Sequence, residues 1–230
     1  MSEATWIFPP ADSADEHGIV GVGADLEPQT IISAYRQGIF PMPLDRDGPI
    51  AWWSPDPRAV IPLDALHVSR SLKKSMRRFH FTVNTSFAEV IEACADESRP
   101  HGWIDGQVKR AYCRLHELGW AHSIETRNSA GDLVGGVYGL GIRRFFAGES
   151  MFHTETDASK AALVHTVELL ARAGAELFDV QWMTPHLSTL GAIDLSRSDY
   201  LRRLEQAISA EKQQTPGVDT SRSAFAEGNP

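Results

Sequence analysis

The residues best suited to chemistry lie in the run Leu177-Phe178-Asp179-Val180-Gln181-Trp182. The run reads as a strand, so Asp179 and Gln181, two apart, point to one face while Phe178 and Val180 point to the other. A carboxylate and an amide side by side at the end of an apolar strand are costly unless hydrogen-bonded. They are either a satisfied structural pair or an acid/base group beside an amide that orients a carbonyl. Arg70, Lys73, Lys74, Arg77 and Arg78 lie close together in a stretch, 69–88, that contains no acid. They form either a solvated helical face or a strip that contacts phosphates. Trp52-Trp53-Ser54-Pro55-Asp56-Pro57-Arg58 is rigid and aromatic, and Trp103 stands alone ahead of a helix. Such rings are core, or they are platforms on which unpaired bases stack.

Other chemistries lack their spacing. Gly135-Gly136-Val137-Tyr138-Gly139-Leu140-Gly141 is neither GxGxxG nor a Walker loop, and it lies inside a strand-like segment. Glycines there allow a bulge or the close approach of a ligand. His116-Glu117 and His122 are spaced too widely for HExxH, with Gly119 between them. Gly148-Glu149-Ser150-Met151 lacks the second glycine of a nucleophile elbow.

The elements that must position these residues fall in two parts. Of the 230 residues, the first 62 hold nine of the 13 prolines, which implies turns and short elements. From 64 onward the pattern is regular, so a domain boundary is expected near 62–64. Phe87, Val90, Ile91 and Cys94 keep helical spacing, with Ser86 and Glu89 as a capping box. Val108, Ala111, Tyr112 and Leu115 repeat it, with Asp105 as cap and Gly119 as stop. Strands are expected at 122–127, 133–140, 143–149 and 176–181, and helices at 157–173 and 199–208. The tail 209–230 is expected to be disordered. The order implies an α+β fold around a largely antiparallel sheet.

The net charge of −8 argues against a general polyanion binder. That total hides its distribution: residues 64–88 carry +4 on an otherwise acidic chain. No apolar run is long enough for a membrane span, the N-terminus does not read as a signal peptide, and two cysteines make no disulfide framework. A cytoplasmic protein is expected.

Taken together, the segments resemble the bacterial leucyl/phenylalanyl-tRNA–protein transferase family. The resemblance rests on Gly38-Ile39-Phe40-Pro41, the block 52–58, Leu66-His67-Val68-Ser69-Arg70-Ser71, the block 112–119, Ala121-His122-Ser123-Ile124-Glu125, Val134 to Gly139, Gly148-Glu149-Ser150-Met151-Phe152, Ala158-Ser159-Lys160 and Asp179-Val180-Gln181. It implies a small N-terminal domain (1–63) packed on an acetyltransferase-like (GNAT-like) catalytic domain (64–208), whose mixed, largely antiparallel sheet carries helices on both faces. It implies transfer of Leu or Phe, and less well Met, from Leu-tRNA or Phe-tRNA to protein N-termini bearing Arg or Lys, which creates an N-degron for degradation. It implies no metal or other cofactor, no membrane partner and a monomer.

By resemblance Asp179 and Gln181 are the catalytic pair: Gln181 holds the attacking amine, and Asp179 polarises it or takes its proton. Glu149 orients substrate. Val137, Phe146, Met151, Leu163, Thr166, Leu170 and Phe178 line the aminoacyl pocket. Trp103 stacks on the terminal adenosine, and Arg70, Lys73 and Lys74 hold acceptor-stem phosphates. The chain departs from the pattern at Met42, where the family often has a Trp on the adenine, and at Thr166 and Leu170, where relatives have aromatic residues. Two other readings are an acyl-CoA-dependent N-acyltransferase and a non-catalytic RNA-binding module. The first lacks the Q/R-x-x-G-x-G/A loop, since Gly136 stands three before Gly139. The second leaves Asp179 and Gln181 unexplained.

Overall fold

The proline-rich start builds few long elements, because each proline withholds a backbone donor. The computed structural model describes residues 6–45, 48–96 and 102–209. Within them β1 (Ile19–Val22), α1 (Pro28–Arg36), β2 (Phe40–Pro43) and β3 (Ile50–Trp53) come first. The three strands form an antiparallel sheet in the order β1-β3-β2.

The chain then changes sheet. β4 (Arg58–Val60) belongs to a second, seven-stranded sheet. Next in the chain come α2 (Arg70–Met76), β5 (His80–Val83), α3 (Phe87–Cys94), α4 (Gly106–Glu117), β6 (Ala121–Arg127), β7 (Leu133–Ile142) and β8 (Phe145–His153). The chain closes with α5 (Ala158–Arg172), β9 (Leu177–Gln181), α6 (Pro185–Thr189), β10 (Ile193–Leu195) and α7 (Arg197–Ser209). The sheet order is β10-β4-β9-β8-β7-β6-β5, antiparallel throughout except for β8 and β9. A parallel pair needs a crossover, and α5 provides it. The tail expected to be disordered lies outside the described residues, apart from Ser209 at the end of α7.

Alternation along the strands sends side chains to two cores. Tyr138, Leu140, Phe145 and Leu177 join α1, α3, α4 and α7 on one face, in a core that also holds Tyr35, Phe40 and Trp52 of the first sheet. Val137, Phe146 and Phe178 join α5 and α6 on the other. Each such side chain, fully buried, contributes about 1.5–3 kcal/mol. The mixed α+β sheet with helices on both faces is therefore as expected.

Two local expectations change. Asp105 does cap α4, accepting from the N–H groups of Gln107 and Val108 at 2.8 Å, but Ser86 caps nothing with its side chain. Its hydroxyl instead accepts from Arg127 Nη2 at 2.8 Å, a partner from a neighbouring strand that sequence spacing cannot reveal. The strand expected at 143–149 starts two residues later. Arg143 and Arg144 form the tight turn between β7 and β8, with Arg143 at φ 54°. Arg144 is held there by Glu176 and by Gly174 O at 2.8 Å.

Candidate active site

The β7–β8 hairpin is irregular at one point. Gly139 pairs with Gly148 and Tyr138 with Ser150, which leaves Glu149 as the extra residue of a β-bulge. A bulge re-aims a side chain, and here it sends a carboxylate into a cavity of about 570 Å³. The cavity lies between the two sheets. β2 contributes Phe40, Pro41 and Met42, and the loop ahead of α4 contributes Trp103. The second sheet and α5 contribute Val137, Met151, Val180 and Leu163, and the segment after β9 contributes Trp182, Thr184 and Leu187. The walls are mainly apolar, and the polar groups converge on Glu149, Gln181 and Ser150.

Glu149 is the hub of that polar end. Tyr35 Oη donates to its Oε1 at 2.6 Å, Tyr112 Oη donates to its Oε2 at 3.1 Å, and the two hydroxyl oxygens are 2.9 Å apart. Gln181 Nε2 donates to Oε1 at 3.4 Å. Burial pushes the Glu149 carboxyl up to about 8; nearby Asp179 adds to the rise, while the Tyr35 and Tyr112 hydroxyls and Arg58 oppose it. Burial, then the charge of Glu149, raises both tyrosine hydroxyls.

Asp179 sits behind this group, fully buried. Its Oδ1 accepts from Arg58 Nε and from the Gln181 backbone N–H, both at 2.9 Å. Its Oδ2 accepts from Arg58 Nη2 at 2.6 Å and Tyr200 Oη at 2.9 Å. Arg58 is itself fully buried between the rings of Phe40 and Tyr200, 4.6 and 4.4 Å from its Cζ, and gives a further bond to Gly38 O at 3.2 Å. Burial alone would lower the guanidinium's pKa, but Asp179 and Tyr200 reverse the sign and hold it charged.

The strand alternation breaks at Gln181. Its φ is 59°, and Trp182 N–H donates to Val180 O at 2.8 Å, a three-residue turn centred on a non-glycine. Such a conformation costs about 1–3 kcal/mol and persists only where surroundings enforce it. Here the Asp179 carboxylate accepts the Gln181 N–H. The expected side-by-side pair is corrected accordingly: Asp179 grips the Gln181 backbone, and the Gln181 amide pairs with Glu149.

The structure brings Glu149, Gln181, Val137, Met151, Leu163, Trp103 and Met42 together around one cavity. Phe146, Thr166, Leu170 and Phe178 do not line it. Phe146 and Phe178 pack edge to face at 5.6 Å, and the Phe178 ring would meet a Cβ on Gly148 at 3.0 Å. Thr166 is buried on α5, donating to Ala162 O at 2.8 Å, and Leu170 is buried one turn on. These four are a layer behind the wall, and an apolar residue in that layer has the same pattern in sequence as one on the cavity surface. Arg70, Lys73 and Lys74 are exposed on α2 and do not line the cavity.

Sequence reading did not assign roles to Tyr35, Tyr112, Tyr200 or Arg58. Arg58 carried one usable signal, an arginine within a buried-looking aromatic block; the tyrosines sit on separate helices and meet only in three dimensions.

Comparison with known proteins places the chain in a family. Residues 60–205 match the family model for leucyl/phenylalanyl-tRNA protein transferase, and residues 24–56 match that of its N-terminal domain. Proteins named leucyl/phenylalanyl-tRNA–protein transferase are similar along most of the chain. One from Idiomarina loihiensis is 46% identical, covering 90% of this chain and 89% of its own length. One from Syntrophobacter fumaroxidans is 46% identical, with 88% of each covered, and one from Aromatoleum aromaticum is 47% identical, with 84% and 83% covered. Among solved structures, L-PGS from Bacillus licheniformis has 12% identity and a TM-score of 0.40 over 58% of this chain and 50% of that one. The matched segments include Tyr35, Tyr112, Glu149, Asp179, Gln181 and Tyr200, and on the extent of these matches the chain belongs to the leucyl/phenylalanyl-tRNA–protein transferase family.

Proposed function

We propose that the cavity receives the aminoacyl end of Leu-tRNA or Phe-tRNA, and less well Met-tRNA, and that the chain transfers that residue to an acceptor protein's N-terminal Arg or Lys. The product carries a new N-terminal residue and serves as a degradation signal. The observation that carries this reading is the apolar cavity closing on a polar end formed by Gln181 and Glu149. An apolar wall discriminates by shape at about 1–3 kcal/mol per methylene, which suits tolerance among Leu, Phe and Met. The reaction exchanges an ester for an amide and needs no activated cofactor.

In this reading Val137, Met151 and Leu163 contact the side chain of the transferred residue, and Phe146, Thr166, Leu170 and Phe178 set the depth behind them. Trp103 and Met42 hold the terminal adenosine, and the exposed bases Arg70, Lys73 and Lys74 hold phosphates of the acceptor stem. Gln181 orients the attacking amine, and Asp179 positions Gln181 through its backbone. The division into a domain of residues 1–63 and an acetyltransferase-like domain of 64–208 is part of the same proposal, with β4 a strand that the first contributes to the second; the parallel β8–α5–β9 unit supports it. The protein acts as a monomer in the cytoplasm; no helix among the described residues is long and apolar enough to cross a membrane.

The test mixes the protein with labelled Leu-tRNA or Phe-tRNA and peptides that begin with Arg, Lys, Ala or an acetylated residue. Labelled product with Arg and Lys alone is expected. Absence of transfer from either charged tRNA sinks the proposal.

A further inference from the structure

The proton released when an amine becomes an amide needs a destination, and the structure narrows it. Asp179 is the obvious carboxylate, yet four donors fill both of its oxygens and it has no exposed surface. Glu149 differs on each point. It lines the cavity, it stands beside the Gln181 amide, and its Oε2 accepts one hydrogen bond, that of Tyr112, among the described residues.

Tyr35, Tyr112 and Glu149 form a triangle with sides of 2.6, 3.1 and 2.9 Å, each short enough for a hydrogen bond. Two hydroxyls and an ionised carboxylate supply two protons for three sides. A protonated Glu149 supplies the third. The triangle is therefore built to take one proton and to release it.

We propose that Glu149 is the catalytic base, and then the acid, of the transfer, with Tyr35 and Tyr112 as the residues that position it. This rests on the aminoacyl-transfer reading above and changes the destination of the proton within it. The acceptor nitrogen attacks the ester carbonyl carbon, and the C–N bond forms as the N–H proton passes to Glu149. The ester C–O bond then breaks with its electron pair going to the ribose oxygen, which takes the proton back from Glu149. Ester and amine become amide and alcohol, and no further reactant is needed. The charged and titratable groups that face Glu149 are Tyr35 on α1, Tyr112 on α4, Arg58 on β4, Asp179 on β9 and Tyr200 on α7. A carboxyl whose proton affinity lies near neutrality fits a group that must both accept and donate.

The experiment measures single-turnover transfer against pH with two acceptors. One is an ordinary peptide beginning with Arg. The other carries an aminooxy group in place of its α-amine, so the nucleophile stays neutral across the range. The wild-type rate should fall at low pH with both acceptors. With the aminooxy acceptor, Glu149→Gln should abolish that fall and lower the rate about 10²-fold or more, the ordinary worth of general-base catalysis; with the ordinary peptide, the fall set by protonation of its own amine should remain. Tyr35→Phe, which removes one partner of the carboxyl, should move the midpoint of the fall by more than about half a unit. It keeps the question decidable should Glu149→Gln fail to fold. The proposal is overturned if the wild-type fall disappears with the aminooxy acceptor, or if, with that acceptor, Glu149→Gln keeps the wild-type profile or Tyr35→Phe leaves the midpoint in place. Failure of the wild type to transfer to the ordinary Arg peptide would instead overturn the reading on which this rests.

Discussion

Arg58 and Asp179 form a buried pair whose value lies in being complete. Removing one partner leaves a charge without water or counter-charge, which costs about 3–5 kcal/mol, whereas replacing both by apolar side chains is often neutral. Arg58→Met should therefore lower the unfolding free energy in urea by about that amount, and Arg58→Met with Asp179→Leu should recover much of it. Gln181 separates strain from chemistry. Glycine adopts φ 59° freely, so Gln181→Gly should leave stability within about 1 kcal/mol while lowering transfer about 10²-fold or more. Transfer at the wild-type rate in both Gln181→Gly and Asp179→Ala would remove the pair from the mechanism. The Asp179-Val180-Gln181 run stood out in the sequence, because a carboxylate and an amide at the end of an apolar strand need hydrogen-bond partners. The φ at Gln181 was not readable, because it is imposed by a carboxylate held in place by Arg58, far away in sequence.

At the scale of elements, the β7–β8 hairpin decides where Glu149 points. A Cβ on Gly139 would lie 2.2 Å from Ala147 O and 2.6 Å from the Phe146 ring, so no side chain fits beside the bulge. Gly139→Ala should cost about 1–3 kcal/mol in urea unfolding, the usual range for overpacking, and should lower transfer further by displacing Glu149. The glycine run in the sequence did signal a bulge or a close approach. That the extra residue would be Glu149, on the other strand, follows only from the observed register. α2 illustrates a different limit. Its charges were plain in sequence, and the helix indeed keeps only Leu72 buried and leaves its bases exposed. If those bases hold phosphates, charge reversal at Arg70, Lys73 or Lys74 should weaken tRNA binding and lower the slope of log affinity against log salt by about 1 for each phosphate no longer neutralised.

For the whole molecule, two buried titratable groups bound the pH range of stability. Burial, and then His116, lowers the His122 imidazole from 6.5 to about 4. Its neutral form is favoured by folding, so that stability is full above about 6.5 and is lost as pH falls through about 4. Glu149 acts in the opposite sense. Its carboxyl rises from 4.5 to about 8, so its neutral form is favoured; that contribution is full below 4.5 and is lost as pH rises through about 8. Glu149→Gln should accordingly gain stability over the wild type as pH goes from 5 to 9, by more than about 1 kcal/mol in paired urea titrations. A constant difference across that range would mean that Glu149 is not a strained buried acid.

The sequence by itself determined the family blocks, the α+β order, the helix periods and the separation of the basic helix from an acidic body, because periodicity and composition are local properties. It placed Asp179, Gln181 and Glu149 among the candidates. Only the tertiary structure decided which carboxylate meets which amide. The Tyr35–Tyr112–Glu149 triangle joins three elements, and the Arg58–Asp179 pair joins two strands from opposite ends of the chain. Contacts of that kind depend on register, bulge and sheet order, which are set by packing the whole chain.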